Sequence, residues 1–238
     1  GLNALFGLEH GRYENQHTEI FDTENSDRAF EEEVMLSGFG QAKVKAEGQA
    51  VDYDDAQETF TARYTHETIA LAFAITEEAV EDNLYDKVSS RYTKALARSM
   101  AITKQTKGAN VLNRAFNSSY TGGDAKELLA TDHPTIGGDV KNELTTAADL
   151  NETSLEQALI DIAGMKDERG LKIAVNGVKM IIPVNLQFTA ERLMKSPGRV
   201  GTADNDINAH KSMGMIPQGY VVNNYLTDTD AFFIKTDA

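Results

Sequence analysis

The sequence predicts an α+β protein with an extended β-loop, one long helix and a compact α+β domain at its C-terminal end. Three observations lead to this fold class. Apolar and polar side chains alternate between residues 39 and 75, which is the pattern of half-buried strands. Apolar side chains then recur every four residues from 77 to 106, as on one face of a helix. From 145 to 238 the patterns change to helix, strand, helix, strand, strand, the order of a small α+β domain.

Composition excludes several classes of protein. The chain has 238 residues, with 37 acidic and 23 basic side chains, a net charge of −14 and no cysteine. Without cysteine there is no disulfide or thiolate metal site, and a protein that grips nucleic acid needs clustered basic residues. The longest apolar run, Ile69–Ile75, has seven residues, whereas a membrane span needs roughly 20. Because the chain starts at Gly1 rather than at Met, we expect a processed or trimmed product.

Charge is unevenly distributed along the chain. Residues 1–76 carry 15 acidic and 5 basic side chains, whereas residues 77–116 carry 5 acidic and 7 basic ones. Such a pattern steers the acidic front of one copy onto the basic middle of another, although plain solubility explains it equally well. Residues 1–30 are mostly polar without a sustained period, which is typical of an extended arm or a disordered leader.

Two alternating runs predict a long two-stranded excursion from about residue 39 to 64. Their apolar members are Ala42, Val44, Ala46, Phe60, Ala62 and Tyr64. A change of phase near His66 predicts a bulge before a third run at 69–75. Alanine dominates the apolar face of the loop. Burying its methyl group yields only about 0.8 kcal/mol, against roughly 1–2 kcal/mol of backbone entropy per ordered residue. We therefore expect the loop to lie on another surface, of its own chain or of a neighbour.

A helix about 45 Å long is predicted over residues 77–106 from the rise per residue. Its apolar stripe consists of Val80, Leu84, Val88, Tyr92, Leu96 and Met100. Thr76 suits the N-cap, and Gly108 is expected to end the helix. Because only one face is apolar, the helix is predicted to be a spine that lies across a core. A short helix is expected next, around 111–116.

The compact domain at 145–238 has the clearest element order. We expect a helix at 152–168 that starts at Thr153 or Ser154, a strand at 179–182 closed by Pro183, a helix at 186–195, and strands at 220–222 and 231–235. In the first of these helices, the residues predicted to face inward are Leu155, Leu159, Ile162 and Ala163.

A calcium-like sequence near residue 204 lacks two required residues. Asp204, Asp206 and Asn208 resemble the start of a calcium-binding loop. Ala209 and Met215, however, stand where such a loop needs glycine and glutamate. A polar loop without metal is therefore predicted.

Three shorter patterns also favour ordinary structure over chemistry. His66–Glu67 lacks the second histidine of a zinc-protease motif, since Ala70 takes its place. Gly122–Gly123 is not followed by the Lys-Ser/Thr pair of a phosphate-binding loop. Asp132–His133 lies in a turn closed by Pro134, and no nucleophile is identifiable for it. The sequence therefore predicts a protein without catalytic residues, metal or cofactor, and no enzyme.

An ordered set of motifs is typical of one family. The motifs are Tyr64–Thr68 and Ile75–Glu78 ahead of the long helix, Thr131–Pro134, Ala147–Leu150 ahead of Leu155–Ala158, Ile181–Pro183 followed by Ala190, Leu193 and Ser196, and Leu226–Thr229 before Ala231–Lys235. From about residue 20 to 238 the sequence resembles the tailed-bacteriophage major capsid proteins, and most closely the Mu-like major head subunit family. That family continues through further strands beyond the position of Ala238, so we expect an incomplete peripheral domain here.

The resemblance implies a structural subunit of an icosahedral phage head that self-assembles into hexamers and pentamers around the DNA genome. It implies an N-terminal arm at 1–30, an extended β-loop at 31–72, a peripheral domain with the spine helix at 73–144, and an axial domain at 145–238. The implied partners are other copies of the chain, head proteins such as scaffold and portal, and packaged DNA by weak non-specific contact only. The implied location is the virion, after assembly in the host cytoplasm, with no membrane partner.

Inter-subunit contacts are expected to come from the β-loop. The candidates are Phe39, Lys43, Lys45, Tyr53, Phe60 and Tyr64, because large aromatics supply most of the area that such a contact buries and lysines pair with an acidic neighbour. Two alternatives stay open. One is an encapsulin-like compartment shell, and the other is a soluble enzyme with no recognisable site.

Overall fold

The computed structural model describes residues 2–81, 85–199 and 206–238. The chain divides into two compact units. The first comprises Gly1–Asn25 with His66–Leu112, and the second comprises Ser26–Thr65 with Asn113–Ala238. Each unit is thus assembled from two separate stretches of chain.

In the first unit, helix α1 at Leu2–His10 begins the described chain and a short 3-10 turn follows at Gln16–Glu19. The expectation of an extended or disordered leader is wrong for this stretch. Three of the first eight residues are leucine, and the polar run that suggests an irregular arm starts only at Glu9. Phe6 stacks on His10 one turn later, with ring centroids 5.8 Å apart.

Helix α2 at Glu77–Glu81 and helix α3 at Tyr85–Asn113 occupy the region of the predicted spine. Gly108 does not end α3, and the short helix expected around 111–116 is the last turn of α3 instead. A Cβ atom at Gly108 would lie 3.0 Å from the Cβ of His17. The glycine therefore allows the N-terminal segment to pack closely on the helix.

The buried face of α3 consists mainly of small and polar residues, with Leu112 near the end of the helix. They follow one another at helical spacing as Ser89, Thr93, Ala97, Ala101, Gln105 and Ala109. Gln105 fixes the N-terminal segment, because its side-chain oxygen accepts the backbone N–H of His17 at 2.9 Å and its amide donates to Asn15 at 3.2 Å. The small side chains allow a close approach of the neighbouring backbone.

In the second unit, strands β1 at Phe30–Leu36 and β2 at Glu58–Thr65 form an antiparallel ribbon with a register shift between Val34 and Leu36. The strand expected at 42–46 is wrong, since residues 37–57 form the loop between β1 and β2 without regular structure. The third run, at 69–75, is likewise no strand, and β2 ends before the bulge expected near His66. Because residues 31–33 are three consecutive glutamates, β1 does not show the alternation of apolar and polar side chains that predicts a strand.

The compact α+β part of the second unit confirms the predicted order of elements. Helices α4 at Glu152–Ala163 and α5 at Gln187–Lys195 accompany a three-stranded sheet of order β4-β3-β5. The strands are β3 at Gly177–Ile182, β4 at Tyr220–Val222 and β5 at Phe233–Thr236. Strand β3 runs parallel to β4 and antiparallel to β5. The short helix α6 at Ala209–Met213 precedes β4.

Helices α4 and α5 share one core with the central strand. Its buried members are Leu150, Leu155, Leu159, Met180, Ile182, Ala190, Leu193 and Ile216. Helix α4 begins at a capping box, in which the side chain of Asn151 accepts the N–H of Ser154 and the hydroxyl of Ser154 accepts the N–H of Asn151. The cap is thus Asn151, and α4 ends at Ala163, five residues before the expected end at 168. Ala163 is exposed rather than inward-facing, because it is the last residue of the helix.

Candidate assembly surfaces

The β1–β2 loop, residues 37–57, leaves large apolar side chains in solvent. Tyr53 is 98% exposed and Phe39 is 61% exposed, and Val44 and Val51 are exposed as well. Isolated apolar residues on a surface are ordinary, but several within one loop are typical of a surface that binds another protein. Two of the predicted contact aromatics, Phe39 and Tyr53, therefore lie where a neighbour can reach them.

The ribbon at the base of the loop holds the other two predicted aromatics. Phe60 is half-buried, and Tyr64 is 56% exposed with its hydroxyl 3.5 Å from a carboxylate oxygen of Glu33. Partial burial, with the negative charge of Glu33, raises the pKa of the Tyr64 phenol. Arg63 ties the strands together, because it binds Glu32 across the ribbon and lies 4.4 Å from the ring centroid of Phe30. The ribbon is therefore fastened by cross-strand pairs.

The two predicted lysines lie in the loop itself. Lys43 forms an ion pair with Asp52 at 3.0 Å, and both side chains are mostly exposed. Lys45 is exposed as well. An exposed pair of this kind contributes little free energy, so Lys43 can exchange its partner for a carboxylate on another molecule.

The predicted stripe of α3 is only half-buried. Val88, Leu96 and Met100 are partly covered, and Tyr92 is 47% exposed. The side chain of Val80 and the whole of Leu84 lie outside the described residues. The residues of α3 that are buried in the first unit lie one position further along the sequence than the predicted stripe. They include Ser89, Thr93 and Ala97.

An apolar cavity opens beside this stripe, entirely within the first unit. Its volume is about 360 Å³, and its lining residues are Leu71, Ala72, Phe73, Tyr92, Ala95, Leu96 and Ser99. Phe73 meets Tyr92 edge to face, with ring centroids 5.7 Å apart. The segment expected to be a third strand is thus an irregular stretch whose apolar side chains pack against α3.

His133 is a structural residue of the second unit. Its Nδ1 lies 2.6 Å from Asp124 and its Nε2 lies 3.1 Å from the side-chain oxygen of Asn142. Burial alone raises the pKa of Asp124, but hydrogen bonds from His133 and from the N–H of Lys126 outweigh it and lower that pKa below its usual value. Asn142 also accepts the backbone N–H of Ala130. The partner of His133 is thus Asp124 rather than the neighbouring Asp132, which pairs with Lys126, and the contact cross-links an irregular segment.

The described residues contain no group of three or more His, Cys, Asp or Glu side chains arranged to hold a metal ion. Within the same part of the chain, the helices are all too short or too polar to cross a membrane. Of the calcium-like sequence, Asp204 lies outside the described residues, and Asn208 caps α6 by accepting the N–H of Lys211.

One contact that the fold forms has no signal in the sequence. Asp54 in the β1–β2 loop is bound by Arg169, 115 residues further along the chain. Neither residue belongs to an alternating or helical pattern, so the sequence contains no signal that would pair them.

Comparison with solved structures identifies proteins that share this architecture. The solved capsid of bacteriophage JBD30 has the same fold, with a TM-score of 0.61 and 11% identity over 85% of this chain and 88% of that chain. The procapsid of the same phage gives a TM-score of 0.58 and 13% identity over 94% of this chain and 97% of that chain. At such identities the likeness shows the fold, which is that of a phage capsid subunit.

Sequence comparison extends this from fold to family. The model of a family described as phage capsid protein matches residues 58–238, so the chain belongs to the phage capsid protein family. It is a major capsid protein, a structural component of the bacteriophage head. No curated protein matches the chain.

Proposed function

We propose that this chain is the shell-forming subunit of an icosahedral head, of the Mu-like type, which assembles into hexamers and pentamers around the DNA genome. The observation that carries this proposal is the β1–β2 loop, which exposes Tyr53, Phe39, Val44 and Val51 to solvent. A loop of this kind gains its ordering energy from a neighbouring molecule, because it buries too little apolar area on its own chain.

Within the shell, we assign each region a role. Residues 1–30 are the N-terminal arm, 31–72 the extended β-loop, 73–144 the peripheral domain with the spine helix, and 145–238 the axial domain at the ring centres. The axial assignment is supported by the compact core around β3, α4 and α5. The α3 helix supports a spine role through its length of 29 residues.

We assign the contacts of the loop with a neighbouring copy to four aromatic side chains and two lysines. Phe39, Tyr53, Phe60 and Tyr64 supply buried area, since aromatic side chains contribute most binding energy in protein interfaces. Lys43 and Lys45 pair with acidic residues of the neighbour and fix its orientation more than its affinity.

The α3 stripe is assigned to packing within the assembled shell. Tyr92 and Leu96 line the apolar cavity together with Leu71 and Phe73. Because these side chains are only partly covered in the single chain, a neighbouring copy that closes the cavity would add apolar burial at about 25 cal/mol per Å².

The other partners follow from the family. The JBD30 capsid occurs decorated with trimers of a minor capsid protein, and we infer comparable contacts with other head proteins, such as scaffold and portal, for this chain. The chain acts without catalysis or cofactor in the virion, after assembly in the host cytoplasm. Contact with packaged DNA is weak and non-specific, because the net charge is −14.

Electron microscopy of the expressed full-length chain tests the proposal. Closed shells of regular size are expected, whereas a small oligomer by size measurement would contradict a shell and favour a soluble enzyme. An encapsulin-like shell differs by its contents, so a neighbouring cargo enzyme gene would favour that alternative, and neighbouring portal and terminase genes the phage head.

Hydrogen exchange on free subunits and on shells tests the role of the loop. Residues 41–53 of the loop should exchange fast in the free chain and become protected in the shell. Strand β3 is the internal control, since its core position should protect it in both states. Equal protection of the loop in both states would mean that it packs on its own chain alone.

A further inference from the structure

The side chain of Arg169 is mounted on a rigid turn of the second unit. One carboxylate oxygen of Asp167 accepts the N–H of Arg169 at 3.0 Å and that of Leu171 at 2.7 Å. The N–H of Gly137 donates to the carbonyl of Glu168 at 2.7 Å, and a Cβ atom at Gly137 would lie 2.8 Å from the carbonyl carbon of Arg169. The turn is therefore held from within and from a neighbouring segment that cannot carry a side chain.

The guanidinium of Arg169 reaches the β1–β2 loop at Asp54. Its Nη2 atom lies 2.5 Å from Oδ1 and 2.7 Å from Oδ2 of that carboxylate. The side chain of Arg169 is only 15% exposed, and that of Asp54 is 44% exposed. Hydrogen bonds of this kind between charged groups are stronger than neutral ones.

Asp54 also connects the two sides of the loop. Its Oδ2 accepts the backbone N–H of Gly40 at 2.7 Å, and a Cβ atom at Gly40 would lie 3.2 Å from the same oxygen. The hydrogen bonds from Arg169 and Gly40 lower the pKa of the Asp54 carboxyl, so it accepts them as a carboxylate at neutral pH. Three separate segments of chain therefore meet at this one side chain.

Two further hydrogen bonds join the first and last residues of the loop. The N–H of Ser37 donates to the carbonyl of Gln57 at 2.8 Å, and the N–H of Gln57 donates to the hydroxyl of Ser37 at 3.0 Å. Residues 41–53 then form a tip beyond the Asp54 junction, and this tip carries the exposed Tyr53, Val44 and Val51.

We propose that Arg169 is a positioning residue for the β1–β2 loop: it anchors Asp54 and thereby presents the tip, with Tyr53 foremost, to a second copy of this chain. The second copy as partner rests on the proposed function, whereas the anchoring is a property of the single chain. By fixing the direction of the loop before contact, the junction reduces the ordering cost of binding.

Limited proteolysis of the free full-length chain tests the anchoring. Thermolysin is the suitable enzyme, because it cuts beside apolar residues of the tip that the substitutions at Arg169, Asp54 and Asp52 leave unchanged. Arg169→Gln should raise the cleavage rate within residues 41–53 about three- to tenfold, as loss of a partly exposed charged pair does. Asp54→Asn should have a similar effect, and the double variant should cleave no faster than the faster single variant.

Asp52→Asn is the matched control, because it removes a carboxylate of the same loop whose partner, Lys43, lies within the tip. Its cleavage rate should change less than about twofold. Arg169→Lys keeps the charge and should restore part of the protection. Any of three results would overturn the anchoring. Both single variants are cleaved at the rate of the parent, the effects add in the double variant, or Asp52→Asn raises the cleavage rate as much as they do.

Assembly kinetics test the presentation of the tip. At low salt, Arg169→Gln should form shells more slowly than the parent at unchanged thermal stability. Tyr53→Ala should slow assembly without altering thermolysin cleavage at the loop base. Faster assembly of Arg169→Gln would overturn the proposal, because the contact would then restrain the loop from its neighbour. A parent chain that forms no shells would count against the proposed function, while the thermolysin rates would still decide the anchoring.

Discussion

Gly123 packs directly against the backbone of β2. A Cβ atom at this position would lie 2.7 Å from the carbonyl oxygen of Thr61 and 3.0 Å from its carbonyl carbon. Backbone atoms cannot move aside as a flexible side chain does, so one added methyl group must displace the ribbon or the turn. The Gly122–Gly123 pair is thus a point of close approach between two segments of the second unit.

We therefore predict that Gly123→Ala lowers the free energy of unfolding by about 1–3 kcal/mol. Urea unfolding monitored by circular dichroism measures this loss. Gly122→Ala is the control, because its Cβ would lie 3.3 Å from a side-chain oxygen of Asp124 and farther from backbone atoms, and it should cost less. Equal stability of the two variants would contradict the close approach at Gly123.

Asp124 makes stability depend on pH in a defined direction. Its hydrogen bonds hold its pKa below the ordinary value of 3.8, so the folded state favours the carboxylate. The resulting stability is present above pH 3.8 and is lost as the pH falls through the lower folded pKa. Glu143 acts in the opposite sense, because burial and the charge of Glu127 raise its pKa.

Asp124→Asn should therefore reduce stability by about 1.5–3 kcal/mol at pH 6, the usual loss for a hydrogen bond to a charged group. The variant should lose less further stability than the parent when the pH is lowered to 3. Urea unfolding at the two pH values measures both effects. Asp139→Asn, an exposed carboxylate of the same segment, should leave the pH dependence as in the parent.

At the scale of the element, α3 separates its largest side chains from its buried line. The helix buries Ala97 completely and leaves its neighbour Leu96 half-covered beside the apolar cavity. Small residues on the buried line allow close packing, whereas Tyr92 and Leu96 keep apolar area that a single chain does not fully cover. The two faces of one helix thus serve different contacts.

This division predicts an order of stability for two substitutions on neighbouring positions. Ala97→Asp should destabilise the chain by more than about 3 kcal/mol, because it buries an unpaired charge. Leu96→Asp should cost about 1–2 kcal/mol in the free chain, since the carboxylate reaches solvent. Thermal unfolding of both variants measures the order, and a larger loss for Leu96→Asp would show that the predicted stripe is the buried one.

At the scale of the whole molecule, net charge opposes tight binding to nucleic acid. The chain carries −14 overall, although the middle of the chain holds more basic than acidic residues. Any attraction of duplex DNA then depends on local basic groups of α3, and salt screens these over about 10 Å at 0.1 M. A negative net charge also repels the phosphate backbone of DNA at longer range.

We predict that the free subunit binds duplex DNA weakly, without sequence preference, and that about 0.2 M salt abolishes binding. Fluorescence anisotropy with two unrelated duplexes of equal length measures affinity and selectivity together. Salt-resistant binding that distinguishes the two duplexes would contradict this prediction.

The sequence alone predicted the C-terminal half of the fold closely. The helix, strand, helix, strand, strand order of residues 145–238 is correct because its core positions, such as Leu155, Met180 and Leu193, recur at the period of their element. The long helix was found for the same reason. One error concerns the end of this helix, because close packing on His17 overrides the usual role of Gly108 at a helix end. Another is the short helix α6, which the sequence did not predict.

Only the tertiary structure decided the loop and its supports. The alternation at 42–46 does not form a strand, because no neighbouring strand pairs with its backbone. Strand β2 pairs instead with β1, which contains the three glutamates at 31–33. The Arg169–Asp54 contact joins residues 115 positions apart. Local periodicity reports which face of an element is apolar, whereas such contacts depend on where the whole chain places two polar side chains. That is why the sequence determined the elements and the family, and the tertiary structure determined how the loop is held.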